Sequence, residues 1–436
     1  MGVMPADLVT NKDGSITVSV TFMPADSLLE SETRLQEAMN EAGAAATGEC
    51  LRRFDTDGGK IEVGGRKLTS CGQRPRNYQT PYGIARVERH VYQSSKGGRT
   101  YCPLDYGARI MRTATPLFAK QTSFKYATND ATVVVKDFAQ HGRKVSRSYV
   151  AEVAGDVSSV VAEKEHWIYA LPAAPAGRRV TTVAVGVDGT CTLIADDSWR
   201  QVMVGTISFY DDEGERIDTI YVANAPESGK ATFFEKMDAE LARIRDTYPE
   251  ARYVGIADGA HELWTWLEPR VTWRIVDFWH VSEYLALVAP YMCSKMSAQA
   301  LWLEEACHRL KHEAGAAAGL LKNFRLERKC VRDGSPAAGA LEKAISYFSN
   351  HLEKMNYHLY RAMELPIGSG VTEAACKTVA KQRLCGSGMR WTLRGVAEVL
   401  SLRTLVTSGR RWNEFWEKAT RFGFTKIDHP KRATAN

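Results

Sequence analysis

No apolar run in this 436-residue sequence approaches the ~20 residues that a membrane-spanning helix needs, so no membrane partner is expected. The opening residues lack the basic and apolar segments of a secretory leader, which sets a cytoplasmic expectation. None of the nine cysteines stands in a Cys-x-x-Cys pair, and in a reducing compartment most read as small apolar fillers. Internal repeats and low-complexity tracts are absent too. Charge of one sign is scarce: 57 Lys and Arg against 51 Asp and Glu leave a net +6. Hydrophobic residues at 44% and charged residues at 25% exclude a disordered or collagen-like chain, and the length calls for two to four domains.

What is present is an ordered succession of patterns. Residues 16–22 read as a strand, a helix runs from about Ser27 to Phe54, and 84–92 alternates as a half-buried strand does. Helical periodicity covers 114–162, and the Pro, Ala and Gly of 171–177 read as a linker. Apolar runs follow at 180–188, 201–210 and 216–223, the last two joined as a hairpin by Asp211-Asp-Glu-Gly214. A helix at 229–247, a strand at 253–257, a helix around 261–267 and a strand at 271–278 come next. Three antiparallel-type strands followed by strand, helix and strand is the order of a ribonuclease H-like core. Residues 281–361 are helical throughout, until Leu365-Pro-Ile-Gly-Ser-Gly370 stops the pattern and opens another helix. The expected fold is therefore an α/β ribonuclease H-like core (179–280 and 363–425) interrupted by an all-α insertion (281–362). An α+β region (1–112) and a helical, helix-turn-helix-like segment (113–170) precede it.

Three acids fall where this fold would gather them. Asp188 is expected to end the first core strand, Asp258 ends the fourth, and Glu373 lies in the first turn of a later helix. Phosphodiester cleavage by two metal ions needs hard oxygen ligands that hold the ions ~3.5–4 Å apart. Glu373 is also favoured as a carboxylate by the helix dipole. Asp-Gly is equally a common turn dipeptide, and both aspartates precede glycine. The pattern gains force from two apolar strands ending alike.

The motifs Val187-Asp188-Gly189, Ile256-Ala-Asp258-Gly259 and Asp277-Phe-Trp-His280 carry a resemblance, together with Gly368-Ser-Gly-Val-Thr-Glu373-Ala-Ala-Cys-Lys377 and Lys381-Gln-Arg-Leu-Cys-Gly-Ser-Gly-Met-Arg-Trp391. Over about residues 78–412 the chain resembles DDE transposases of bacterial insertion sequences, of the ISKra and ISLre types related to the Mutator group. The resemblance implies that Asp188, Asp258 and Glu373 hold two Mg²⁺ ions, for which Mn²⁺ can substitute. It implies a nucleoid-associated enzyme that binds terminal inverted repeats and target DNA, cleaves and transfers strands, and works as a homodimer or larger assembly. Asp277-x-x-His280 is similar to a pair that Mutator-type enzymes carry after the second aspartate. His280 would donate a hydrogen bond to the scissile phosphate with Asp277 in support, or else cap the next helix. Two other readings share parts of this pattern: a DNA-binding repressor without the chemistry, and a metal-dependent nuclease without strand transfer.

Basic residues crowd into 377–411, where only Glu398 is acidic. Such a stretch is either a solvated helical face or a contact for a polyanion. Lys377 and Lys381 follow Glu373 by four and eight residues, near one helix face, and with Arg383 and Arg390 are the expected DNA contacts beside the acids. A second DNA element is expected at 130–153: two helices around a turn at His141-Gly-Arg-Lys144, with Ser146 as N-cap of the second. Arg147 would then reach bases, with Arg143 and Lys144 on phosphates. An ordinary helical hairpin is the alternative. Related transposases often carry a zinc ribbon before this segment. Here Leu68 stands where a partner of Cys71 would be, and only Cys102 remains near the second pair, so no structural zinc is expected.

Overall fold

The computed structural model describes residues 7–168 and 177–422, and among these the chain forms two compact units. Residues 7–168 with 412–422 make one, and 177–411 make the other. The expected linker at 171–177 lies, but for its last residue, outside the described residues. Among the described residues no helix is long and apolar enough to cross a membrane.

The first unit opens with an antiparallel pair, β1 (Asp7–Thr10) and β2 (Ile16–Ser19), so the strand expected to reach 22 stops three residues sooner. Helix α1 (Leu28–Arg52) begins where Ser27 accepts a hydrogen bond from the Glu30 backbone, and it buries a face of small residues, Ala38, Ala42 and Gly48. A three-stranded sheet follows: β3 (Ile61–Val63), β4 (Arg66–Gln79) and β5 (Ile84–Gln93). Alternate residues of β5, Ala85, Val87 and Val91, turn inward, as its pattern demanded, and Ala85 and Val87 meet Tyr78 and Leu104 in a small core. Cys71 is exposed in a bulge of β4, whereas Cys102 is buried at the start of the short helix α2 (Pro103–Gly107). Helices α3 (Pro116–Thr128), α4 (Ala131–Gln140) and α5 (Arg147–Ile168) complete the unit with residues 412–422, whose Trp412 ring packs on Phe124 at 5.7 Å. That placement departs from the expectation that all of 363–425 belongs with the core.

The second unit is built on a five-stranded mixed sheet. Its strands are β6 (Thr182–Leu193), β7 (Trp199–Tyr210), β8 (Arg216–Asn224), β9 (Arg252–Ala257) and β10 (Trp273–Val276), in the order β10-β9-β6-β7-β8. The pairs β6–β7 and β7–β8 are antiparallel, while β9 is parallel to both β6 and β10. Helix α6 (Ala231–Thr247) covers one face, with Met237 so close to Gly205 that an added Cβ would meet its sulfur at 2.4 Å. Helix α7 (His261–Leu267) links β9 to β10. Five further helices, α8 (Phe278–Met292), α9 (Met296–His312), α10 (Ala316–Cys330), α11 (Pro336–His351) and α12 (Tyr357–Ala362), form the expected all-α insertion. Buried Tyr357 ties its far end to the sheet by donating to the Val276 carbonyl at 2.7 Å.

The chain then returns to the sheet as one continuous helical rod: α13 (Gly370–Ala375), a π-helical segment (Cys376–Lys381) and α14 (Gln382–Leu384). Helix α15 (Leu393–Thr407) packs beside β8, and α16 (Arg411–Phe422) ends the described chain. The rod lies on the face opposite α6. Gly186 makes this possible: a Cβ there would stand 2.0 Å from the Thr372 hydroxyl. In its absence Thr372 and Thr206 share a buried hydrogen bond of 2.7 Å.

Candidate active site

Strand register gathers the aspartates. Gly186 pairs with Ile256, and Val276 with Ala257. Continuing both registers by one or two residues sets Asp188, Asp258 and Asp277 level, at the carboxyl edge of three neighbouring parallel strands ~4.8 Å apart. The Asp277 amide donates to the Ala257 carbonyl at 3.0 Å, which extends the ladder to that point. One expectation changes here. Asp188 does not end its strand, because β6 runs on to Leu193 against β7; it is the parallel partner β9 that stops at this level. Likewise β10 is shorter than expected, and Asp277 already begins a helix.

Asp277 is fully buried and joins two elements. Its Oδ1 accepts from the Ser369 amide at 3.0 Å and from the Trp279 amide at 3.3 Å, capping α8. Ser369 in turn donates its hydroxyl to Glu373 Oε1 at 2.7 Å. The buried aspartate thus fixes the loop that orients the candidate glutamate Glu373, a contact the Asp-x-x-His spacing did not announce. Asp277, His280 and Glu373 offer ligand atoms that all lie within 4.8 Å of one another. Asp188 and Asp258 are not members of that tight group among the described residues, so the expected triad forms a wider arc than a single-ion cluster.

Each remaining carboxylate is also held. Asp188 accepts from the Gly189 amide at 2.6 Å and from the Cys376 thiol at 3.4 Å. Burial pushes the Cys376 thiol far up, and the Asp188 charge adds to it, so this cysteine stays a neutral donor. Asp258 accepts from the Ala260 amide at 2.9 Å, and its carbonyl takes the Trp264 indole at 2.6 Å. At half-buried His280, burial disfavours the charged ring, but its 3.1 Å bond to Glu283 and the Asp277, Glu283 and Asp258 charges outweigh this and raise its pKa.

Glu373 and the lysines share a cleft of about 630 Å³ with Asp188, Cys376, Gln382 and Cys385. The π-helical segment explains how. In a straight α-helix, eight residues turn ~80° beyond two full turns, which would carry Lys381 off the Glu373 face. A wider π turn, with about 4.4 residues each, removes most of that drift. Glu373, Lys377 and Lys381 therefore line one wall, acid at one end and ammonium groups at the other.

The other expected DNA contacts divide. Lys377, Lys381 and Arg390 are exposed. Arg383 is not: it is 2% exposed, with its guanidinium over the Trp391 ring at 5.0 Å. Buried Arg403 donates to the Thr378 carbonyl, and buried Arg411 pairs with Glu240, so much of the basic stretch holds the fold together. In the first unit Ser146 does cap α5, accepting from the Tyr149 amide at 3.1 Å, and Lys144, Ser146 and Arg147 are exposed. Arg143 is corrected as a phosphate contact. It is buried, donating to the Thr80 carbonyl and to Gln79 Oε1 and lying 5.3 Å over the Phe118 ring.

The sequence reading missed two residues beside Asp258. Tyr347 and His351 stand one turn apart on α11 and cover Gly259, where a Cβ would meet them at 2.6 and 2.9 Å. The Tyr347 hydroxyl and His351 Nδ1 are buried without a hydrogen-bond partner. Their spacing on one helix face was visible, but nothing in the sequence announces that α11 docks on the end of β9. No family model matches the chain, and no curated protein matches it.

Proposed function

We propose that the chain is a metal-dependent DNA transposase of the DDE kind, with a ribonuclease H-like core. The observation that carries this reading is the level row of Asp188 within β6 and Asp258 and Asp277 just past the ends of β9 and β10, with Glu373 seated over it by Gly186. Strands β6, β7 and β8 run antiparallel in succession, and β9 and β10 lie parallel to β6 on its other side, an order that supports the ribonuclease H-like reading.

The donor set fits divalent Mg²⁺ or Mn²⁺: Asp188, Asp258 and Glu373 offer hard oxygens, and His280 stands beside them. Two such ions would polarise an attacking water or hydroxyl and stabilise the leaving oxygen. The protein's own part is positioning. The Gly189 and Cys376 donors fix the two oxygens of Asp188, and the Ala260 amide and Ser369 hydroxyl fix one oxygen each of Asp258 and Glu373. Lys377 and Lys381 attract the phosphate to the same cleft. His280 faces it as a hydrogen-bond donor. In the first unit, Arg147 in the first turn of α5 reads the inverted repeats, and Lys144 just before the helix contacts phosphate. The reaction cleaves the element's ends to free 3′-hydroxyl groups and then joins these to target DNA, in a dimer or larger assembly.

The test is Glu373→Gln, which removes a metal ligand at constant volume. Mg²⁺-dependent cleavage of a terminal-repeat duplex should vanish while gel-shift affinity stays within about twofold. Undiminished cleavage by that variant would refute the assignment. A repressor reading would instead require that the unmodified chain bind the repeats and cleave nothing.

A further inference from the structure

The all-α insertion carries a second cationic surface, which shares no lining residue with the Glu373 cleft. Lys322, Arg325 and Lys329 are exposed on α10 at spacings of three and seven residues, which places them on one helix face. They border a depression of about 320 Å³ whose floor is apolar, formed by Leu321, Leu326 and Leu352, and no carboxylate lines it. Charge accounting sets these three apart. Arg328 on the same helix is saturated by Asp333 and Glu342, each at 2.6 Å. Lys322, Arg325 and Lys329 form no ion pair among the described residues, and Arg325 is steadied only by a 3.1 Å bond to the neutral Ser349 hydroxyl.

We propose that this stripe binds the phosphodiester backbone of duplex DNA outside the cleavage site, an inference that rests on the transposase reading above. The chemistry matches on three counts. Seven residues of helix span ~10 Å, over which a duplex presents about six phosphate charges. Three cations that form no ion pair among the described residues, around a depression that no carboxylate lines, suit a polyanion rather than an acidic peptide's scattered charges. The leucine floor supports the aliphatic stems of the lysines while their ammonium groups stand clear. Such a contact carries no sequence information; it fixes the position of the flanking duplex.

The test compares the full chain with two triple variants: Lys322→Gln with Arg325→Gln and Lys329→Gln, and the charge-preserving Lys322→Arg with Arg325→Lys and Lys329→Arg. Anisotropy of a labelled random-sequence duplex of about 30 base pairs is titrated between about 50 and 200 mM salt. The slope of log affinity against log salt should become shallower by about 2–3 in the glutamine variant and stay unchanged in the charge-preserving one. An unchanged slope in the glutamine variant, or an equal loss in both variants, overturns this surface while leaving the functional reading in place. Absence of any duplex binding by the unmodified chain overturns the functional reading, and this proposal with it.

Discussion

Adding one methyl group at Gly186 tests how the Glu373 rod is seated on the sheet. The Cβ of an alanine there would lie 2.0 Å from the Thr372 hydroxyl, 3.2 Å from Thr372 Cβ and 3.0 Å from the Thr206 hydroxyl. Neither neighbour is the free end of a flexible chain, since the two hydroxyls are buried and bonded to each other at 2.7 Å. Overpacking of this kind costs about 1–3 kcal/mol. Forcing the two threonines apart adds about 1 kcal/mol for the lost hydrogen bond. Gly186→Ala should therefore destabilise the second unit by about 2–4 kcal/mol. Thr372→Ala removes the closest atom, so the double variant should recover about 1–2 kcal/mol relative to the sum of the singles, a coupling that only contacting residues give. Urea denaturation followed by tryptophan fluorescence, to which Trp264 and Trp266 buried in this unit contribute, measures each term. A single variant that loses under about 0.5 kcal/mol, or a double variant that recovers nothing, would show that the rod is not held by this close approach.

Other outcomes follow from the same geometry. Arg143→Ala should cost the first unit about 2–4 kcal/mol in thermal or urea unfolding, because it strands the Thr80 carbonyl and removes the stack on Phe118. Exposed Arg147→Ala should leave stability within about 0.5 kcal/mol yet weaken binding to terminal repeats by about 1–3 kcal/mol relative to scrambled duplex, read by gel shift. Lys381→Ala should weaken both duplexes equally and make the salt slope shallower by about 1. Burial alone would raise the Glu240 carboxyl, but the Arg411 and Arg243 guanidinium groups outweigh it and hold the pKa below its ordinary value. The folded state then binds fewer protons than the unfolded one. Its stabilisation is full above about pH 4.3 and is lost as pH falls through the depressed folded value. Urea midpoints from pH 7 to pH 3 should show the gap between the unmodified chain and Glu240→Gln closing with acid; a constant gap would contradict the pairing.

Periodicity and turn chemistry made the elements of the second unit legible. The apolar runs at 180–188, 201–210 and 216–223 became β6, β7 and β8, and the helical stretch after Val281 became the insertion. The acids were legible because strand ends in parallel sheets are marked by where apolar runs stop. Asp188 was misplaced within its strand for a physical reason: β6 exceeds β9 and continues against its antiparallel neighbour β7, with the Trp391 amide donating to the Leu193 carbonyl at 3.2 Å, pairings that a one-dimensional reading cannot weigh. The basic stretch misled in the opposite way. Arg383, Arg403 and Arg411 look like surface cations in sequence, yet a planar guanidinium can be buried when a ring, a carbonyl or a carboxylate receives it, as it is at all three. Arg143 follows the same rule in the first unit. Partners that meet across long stretches of chain, such as Asp277 with Ser369 or Gly259 with Tyr347, leave no local trace.

The insertion leaves the sheet at Asp277 and comes back at Ser369, and the two ends touch: the Phe278 amide donates to the Ile367 carbonyl at 3.0 Å, and the Ser369 amide to Asp277. For a flexible loop of about 90 residues, bringing such ends together costs on the order of 4 kcal/mol of chain entropy. If α8–α12 fold first as a unit, most of that cost is met inside the insertion's own packing, and the returning rod closes only a short gap. The order of assembly is then fixed: sheet and insertion early, the Glu373 rod last. In pulse-labelled refolding, amides of the rod should gain protection after those of β6 and α11; protection of the rod ahead of the insertion would rule this sequence of events out.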